Sequence, residues 1–174
     1  MALFRPSQRL ASVTDIDLDA LESAGIRGLL VDLDNTLLPR DTSVIPPAVE
    51  AWITSVSARF RVCLVSNNWH HRVQEVAGEL GLPLVAKAIK PLPFAFIKAM
   101  RMLGLRRSQC AVIGDQLFTD VIGGNLLGTL TIMVDPLSHA DLIHTLLLRR
   151  LEARIMKEDR ATRAARQSKD ATCE

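Results

Sequence analysis

Gly28-Leu29-Leu30-Val31-Asp32-Leu33-Asp34-Asn35-Thr36 is the stretch that decides the fold. A short apolar run of this kind reads as a strand buried on both faces, as strands of a helix-covered parallel sheet are. This one ends in an acid, Asp32, and a second acid follows two residues later. Downstream, β-type runs alternate with helical patterns. Val44-Ile45-Pro46-Pro47 opens a helix, since proline is tolerated in a first turn. Val49, Trp52, Ile53, Val56 and Phe60 then recur at helical spacing. Val62–Ser66 is the next strand. Val73, Val76, Ala77 and Leu80 mark an amphipathic helix that Gly81 is placed to cap. Leu84–Ala86 is a short third strand. Pro93 opens a helix with Phe96, Ile97, Met100 and Leu103 facing inward, and Gly104 follows it. Cys110–Gly114 is the fourth strand, Phe118–Leu127 a short helix ended by Gly128, and Thr129–Val134 the fifth strand. From His139 to about Gln167 the chain reads as one long helix, basic in its second half.

This alternation predicts an α/β fold, a doubly wound, Rossmann-like parallel sheet of five strands. Residues 1–150 form the core with an N-terminal extension, and residues 151–174 form a basic C-terminal helix and tail. In open sheets of this class the site lies beyond the carboxyl ends of the strands. Those ends carry Asp32, Ser66, Asp115 and, just past the short third strand, Lys90.

Composition narrows the function classes. With 48% hydrophobic residues in 174 the chain is an ordered globule, and its net charge of +2 names no partner. Aromatics are 4% and tyrosine is absent, so base stacking has little to work with and no nucleic-acid partner is expected. Cys63, Cys110 and Cys173 are scattered, which favours buried thiols in a reducing compartment over a disulfide or zinc site. Residues 1–19 lack the apolar centre of a signal peptide, and no run reaches the roughly 18 apolar residues of a membrane span. A cytoplasmic location is expected.

Four motifs carry chemistry. Asp32 and Asp34, two residues apart past a strand end, can face one site in different roles. Asp32 would attack phosphorus, splitting one hard hydrolysis into two steps. Asp34 would protonate the leaving oxygen and then accept a proton from water. An isolated pair of this spacing is as often a solvated turn, but the buried run before it raises the functional reading. Ser66-Asn67 supplies a hydroxyl and free N–H groups ahead of a helix, a seat for phosphate. A strand-end turn is the plainer explanation. Lys90-Pro91 supplies a cation that stabilises transferring oxygens. Lys87 competes for that role, and Lys90 is preferred because Pro91 holds it extended just before a helix. In Gly114-Asp115-Gln116-Leu117-Phe118-Thr119-Asp120, Asp115 would hold Mg2+ opposite Asp32, and Asp120 would anchor the surroundings of the metal. Gly114, Gly123 and Gly124 leave room for close backbone approach.

The ordered set DLDNT, SN, KP and GDQLFTD resembles the four signature motifs of the haloacid dehalogenase superfamily. The phrases DLDNTLLP, VSNN, KPLPFAF, GDQLFTDVIGGN and DIDLDAL resemble the subclass IIIA, YqeG-type phosphatases, which are related to mitochondrial phosphatidylglycerophosphate phosphatases. The resemblance runs from about Thr14 to Pro136. It implies Asp32 as nucleophile and metal ligand. It implies Asp34 as general acid/base, ligating Mg2+ through its backbone carbonyl. Ser66 and Lys90 match phosphate binders, and Asp115 and Asp120 the acids of the last motif.

Spacing adds that no cap domain fits. Asp34 and Ser66 are separated by 31 residues and Ser66 and Lys90 by 23, and elements already assigned use both gaps. An open site suits a phosphate on something large, such as a phospholipid headgroup. Between Arg149 and Asp170 lie eight basic and four acidic residues. A solvated basic tail explains them slightly better than peripheral contact with an anionic membrane at its inner face. Two alternatives stay open: the same chemistry on a soluble phosphomonoester or phosphoprotein, and a non-catalytic phosphate-sensing or scaffold domain. Oligomeric state is not legible.

Overall fold

A computed structural model describes residues 2–40, 42 and 44–138 of the chain. The long helix expected over residues 139–167 and the boundary at residue 150 lie outside the described residues. Six strands form one parallel sheet: β1 (Gln8–Leu10), β2 (Gly28–Val31), β3 (Arg61–Val65), β4 (Leu84–Val85), β5 (Cys110–Gly114) and β6 (Leu130–Val134). Their order across the sheet is β1-β6-β5-β2-β3-β4. The helices are α1 (Leu18–Ser23), α2 (Pro47–Arg59), α3 (His71–Glu79), α4 (Phe94–Leu103) and α5 (Ile122–Leu127). Among the described residues no cap domain interrupts this core.

The class matches the sequence reading, with one correction. Five strands were expected and six are present. The extra one, β1, pairs with β6 through Gln8↔Ile132 and Leu10↔Val134. Gln8-Arg9-Leu10 carries two polar residues in three, because an edge strand needs no apolar alternation on its open side. Its packing signal comes from elsewhere: the Asn125 amide donates to the carbonyls of Leu3 and Arg5, each at 2.9 Å.

Strand alternation divides the core between the two faces of the sheet. Leu29 and Val31 of β2 join Val49, Trp52, Ile53 and Val56 of α2 and Val73, Val76 and Ala77 of α3. Leu30, between them, joins Phe96, Ala99, Met100 and Leu103 of α4 on the other face. Each fully buried large apolar side chain contributes about 1.5–3 kcal/mol, so the four inward residues of α2 alone secure it to the sheet. Gly104 and Gly128 end α4 and α5 in the left-handed conformation, at φ 65 and 68, as their placement after the last apolar residue predicts. Cys63 and Cys110 are buried, and burial pushes both thiols up to about 11.

The chain crosses the sheet so that β2 and β5 lie side by side while the connections leaving them run to opposite edges. That is the switch point, where such sheets hold ligands. Asp32 follows β2 and Asp115 follows β5, and the Asp32 N–H donates to Ile113 O at 2.9 Å.

Close approach of α5 to α4, its neighbour on the same face of the sheet, rests on Gly123. A Cβ built there would lie 2.4 Å from Cε2 of Phe96, which is itself fully buried. Gly123→Ala gains about 1 kcal/mol of helix propensity and loses about 1–3 kcal/mol to overpacking. A net loss of stability is expected in urea titration, and an unchanged midpoint would show that the contact yields.

Candidate active site

Each carboxyl end of the central strands delivers one group, and the groups meet. Lys90 lies past β4, and its Nζ donates to Asp32 Oδ1 at 2.5 Å and to Asp120 Oδ1 at 2.7 Å. Asp32, Asp115 and Asp120 are all buried, and each offers a carboxylate oxygen within 4.8 Å of the others'. Asp34 stands slightly apart, half-buried, accepting a hydrogen bond from Ser66 Oγ at 3.2 Å. Of the two competing lysines, Lys90 enters the cluster, while Lys87 is exposed, with its Nζ 5.2 Å from the centroid of the Trp69 ring.

Local structure explains each position. Asn67 accepts from the Lys90 N–H at 2.6 Å and donates from Nδ2 to Lys90 O at 3.3 Å. This two-way clamp joins the β3 and β4 loops and fixes where Lys90 begins; the Lys90–Pro91 peptide is cis. Ser66 Oγ also accepts from Asn68 N at 3.0 Å, which orients the hydroxyl. The expected helix at Phe118 starts one residue earlier, as a turn of π-helix over Leu117–Val121 that passes into α5. Such turns concentrate at functional sites. Here Gln116 N and Thr119 Oγ1 both donate to Asp120 Oδ2 at 3.2 Å, leaving Oδ1 for Lys90. Gly114 makes this possible, because a Cβ there would lie 2.3 Å from Asp120 Cγ.

Three contributors had no role assigned from sequence. Thr36 Oγ1 donates to Asp32 Oδ2 at 3.3 Å. Buried Asn35, at φ 64, receives Arg40 N and Ser138 Oγ on Oδ1, tying the turn after β2 to the segment after β6. Thr119 is the third. An Asn tolerates left-handed backbone better than most residues, and that was the available signal at position 35.

Charge in the cluster is unbalanced. Burial raises Asp32 well above the ordinary carboxylate range; Lys90 opposes this, and Asp120 and Asp115 add to it. Burial alone would lower Lys90, but Asp120 and Asp32 more than reverse that and hold it as a firm ammonium. One cation thus faces three buried carboxylates. Three clustered hard oxygen donors with excess negative charge suit a hard divalent cation, so the residues present fit a metal site.

A family model described as mitochondrial PGP phosphatase matches residues 1–138. The chain belongs to that family. It is 37% identical over 154 residues to the probable phosphatase YqeG of Bacillus subtilis (strain 168), a match spanning 88% of this chain and 90% of that protein. Phosphatidylglycerophosphate phosphatase 1 of Arabidopsis thaliana, chloroplastic/mitochondrial, is 28% identical over 82% of this chain. Its chloroplastic counterpart in Chlamydomonas reinhardtii is 30% identical over 79%. The matches cover 44% and 57% of those two longer proteins. Solved structures share the fold. A 2-haloacid dehalogenase from Pseudomonas syringae pv. Tomato DC3000 superposes with TM-score 0.51 at 12% identity, covering 62% of this chain and 86% of that one. An uncharacterised protein from Listeria monocytogenes serotype 4b gives 0.52 at 15%, covering 68% and 86%. The chain is a phosphoric monoester hydrolase on the haloacid dehalogenase fold, which sets aside the non-catalytic reading. No helix among the described residues is long and apolar enough to cross a membrane.

The charge imbalance gives a test independent of turnover. A divalent cation such as Mg2+ at about 100 times its Kd adds about 2.7 kcal/mol, on the order of 5–10 °C in melting temperature. Asp115→Asn should raise the melting temperature of the metal-free protein, by removing a like charge, and shrink the response to Mg2+. Wild-type melting indifferent to every divalent cation tried would remove the metal site.

Proposed function

We propose that the chain is a Mg2+-dependent phosphatase that works through an aspartyl-phosphate on Asp32 and acts on phosphatidylglycerophosphate. The observation that carries the chemistry is the single ammonium of Lys90 shared by Asp32 and Asp120, in a buried cluster with Asp34 and Ser66 beside it. The substrate rests on the family, on the relatives that bear that name, and on a core that no cap domain interrupts among the described residues.

Asp32 attacks phosphorus, and the bond to the ester oxygen breaks. Asp34 delivers a proton to that oxygen, so the alcohol leaves neutral. Asp34 then takes a proton from water, whose oxygen attacks the phosphorus of the aspartyl-phosphate. The acyl-phosphate bond breaks at phosphorus, inorganic phosphate departs, and Asp32 is regenerated. Lys90 turns from its carboxylate partners to the phosphoryl oxygens, and Ser66 Oγ with the Asn67 amide binds the remaining oxygen. Mg2+, held by Asp32, Asp115 and the Asp34 carbonyl with Asp120 supporting, would draw charge from the transferring oxygens and oppose the upward pressure on Asp32. Ionised Asp32 is the form that attacks, so lowering its pKa also prepares the nucleophile. A soluble phosphomonoester or phosphoprotein would be handled by the same groups. A panel of phosphatidylglycerophosphate micelles, sugar phosphates, nucleotides and a phosphopeptide decides between them.

Asp32→Asn should lose turnover to background while melting no lower than wild type, because an amide cannot attack phosphorus. Retained activity would overturn the covalent route. Fluoroberyllate, which mimics a phosphoryl group on a carboxylate, should inhibit wild type.

Lys90→Ala should lower kcat/KM by on the order of 10²–10³-fold, the usual worth of one transition-state charge contact. Lys87→Ala, a solvated cation, should change hydrolysis of a small soluble ester by less than about two-fold. Equal losses would move the phosphate role off Lys90.

A further inference from the structure

Four large hydrophobic side chains among the described residues stand more than 60% exposed: Val44 (73%), Trp69 (61%), Ile89 (63%) and Phe94 (73%). Their positions are not scattered. Val44 lies between β2 and α2, Trp69 between β3 and α3, Ile89 between β4 and α4, and Phe94 opens α4. All four therefore sit on connections leaving the carboxyl ends of strands, at the edge of the sheet that holds the acidic cluster. Single exposed apolar residues need no explanation, but a set gathered at one functional edge does.

These connections form one surface. Lys87 N donates to Asn68 O at 3.2 Å and Ala88 N to Ser66 O at 3.0 Å, which binds the β4 loop to the β3 loop. Trp69 stacks on His70 with ring centroids 5.7 Å apart, while the Lys87 ammonium lies over its indole. The Arg72 guanidinium donates to the carbonyls of Pro39, Arg40 and Thr42, which draws the loop before Val44 alongside.

The backbone here is strained in a way that favours the exposure. Lys87 and Ile89 both have φ 54, a left-handed conformation that is a genuine outlier for β-branched isoleucine. Ala88 and Lys90 point inward and are buried, while Lys87 and Ile89 face out. Strain of this kind concentrates at functional sites, and exposed apolar surface is unfavourable in water.

Charge selects the occupant. From Leu80 to Gly114 the chain carries no Asp or Glu. Besides Lys90, that stretch carries Lys87 beside Trp69 and Lys98 one turn after Phe94, both exposed. Glu75 of α3, an exposed acid, lies 2.9 Å from the exposed His71. Apolar and aromatic side chains interleaved with cations on amphipathic stems match a bilayer interface with anionic headgroups.

We propose that Trp69, Ile89 and Phe94, with Lys87, form a membrane-docking rim that seats the open end of the site on an anionic lipid surface. This deepens the lipid-phosphate reading above and rests on it. The rim brings the cluster to headgroup level and supplies enclosure to a site that no cap domain covers among the described residues.

The chain has two tryptophans, and Trp52 is buried, so a lipid-induced change in tryptophan emission reports on Trp69. The full chain is mixed with vesicles of phosphatidylcholine and phosphatidylglycerol that contain no substrate. Expected are a blue shift, quenching by brominated acyl chains, and co-sedimentation that weakens with salt. Quenching separates this rim from mere attraction by the basic segment after Arg149. Trp69→Ala with Phe94→Ser should weaken vesicle binding by about ten-fold or more. Lys87→Ala should weaken it by roughly five-fold at low salt. All should keep hydrolysis of p-nitrophenyl phosphate within about two-fold of wild type. Unshifted emission, or equal co-sedimentation of wild type and the double variant, overturns the proposal. So does a wild-type dimer that the double variant abolishes without any vesicle insertion, since the rim would then bind a second copy. Insertion without turnover of phosphatidylglycerophosphate supports the rim and removes the substrate. Turnover in micelles without insertion removes the rim and leaves the substrate.

Discussion

One ammonium among three buried carboxylates is the constraint on which the rest of the site depends. Lys90 bonds Asp32 and Asp120 directly, and Asp115 completes the cluster. Burying a charge is costly unless it is paired, and one lysine cannot balance three carboxylates. A carboxyl held above its unfolded-state value opposes folding once ionised. The contribution of Asp32 to stability is thus present at low pH and lost as pH rises through its folded value. At neutral pH the metal-free site works against the fold that carries it. The two apolar layers on either side of the sheet supply the stability that tolerates this.

Holding such a cluster in place takes backbone, not only side chains. No single strand could supply it: the acids come from the ends of β2 and β5 and the turn after β5, and the lysine from the loop after β4. The Asn67 clamp fixes Lys90 against the β3 loop, and the absent side chain of Gly114 leaves the space Asp120 fills. The π-turn over Leu117–Val121 lets one carboxylate face two ways, toward Lys90 and toward its own backbone. Each device is local, and each is useless without the switch point that makes β2 and β5 neighbours.

Much of this was legible, for definable reasons. Asp32, Ser66 and Asp115 announce themselves because each closes a buried apolar run, and run ends are strand ends. Lys90 could be preferred over Lys87 because Pro91 restricts it, and the buried one is indeed Lys90. Gly123 and Gly124 could be suspected because two glycines in one helix serve packing better than propensity. β1 was missed because an edge strand of three residues, two of them polar, carries no periodicity. Asn35 and Thr36 were seen as part of a motif but not as its braces, since what a short polar side chain touches depends on how the turn closes. The exposed rim was unreadable for a deeper reason. Trp69, Ile89 and Phe94 look like core residues in any apolar pattern, and only the fold shows that they stand largely exposed.

In the proposed mechanism the two acids of the opening stretch divide two duties between unlike environments. Asp32 is buried against Lys90, braced by Thr36, and held where its charge is costly. Asp34, two residues later, is half-buried and touches the hydroxyl of Ser66. A group that must exchange protons with a leaving oxygen and then with water needs access to both. A group that must attack phosphorus needs fixed aim and exclusion of competing water. Unlike environments for neighbouring carboxylates are how a site divides nucleophile from acid. Asp32 and Asp34, two residues apart, leave the strand end toward one site, and depth separates them: Asp32 is buried and Asp34 half-buried. The turn at Asn35 then keeps the second acid from following the first into the core. In the proposed mechanism the half-buried Asp34 would stay in reach of water between turnovers, while a large substrate would close the space over Asp32 as the phosphoryl group moves.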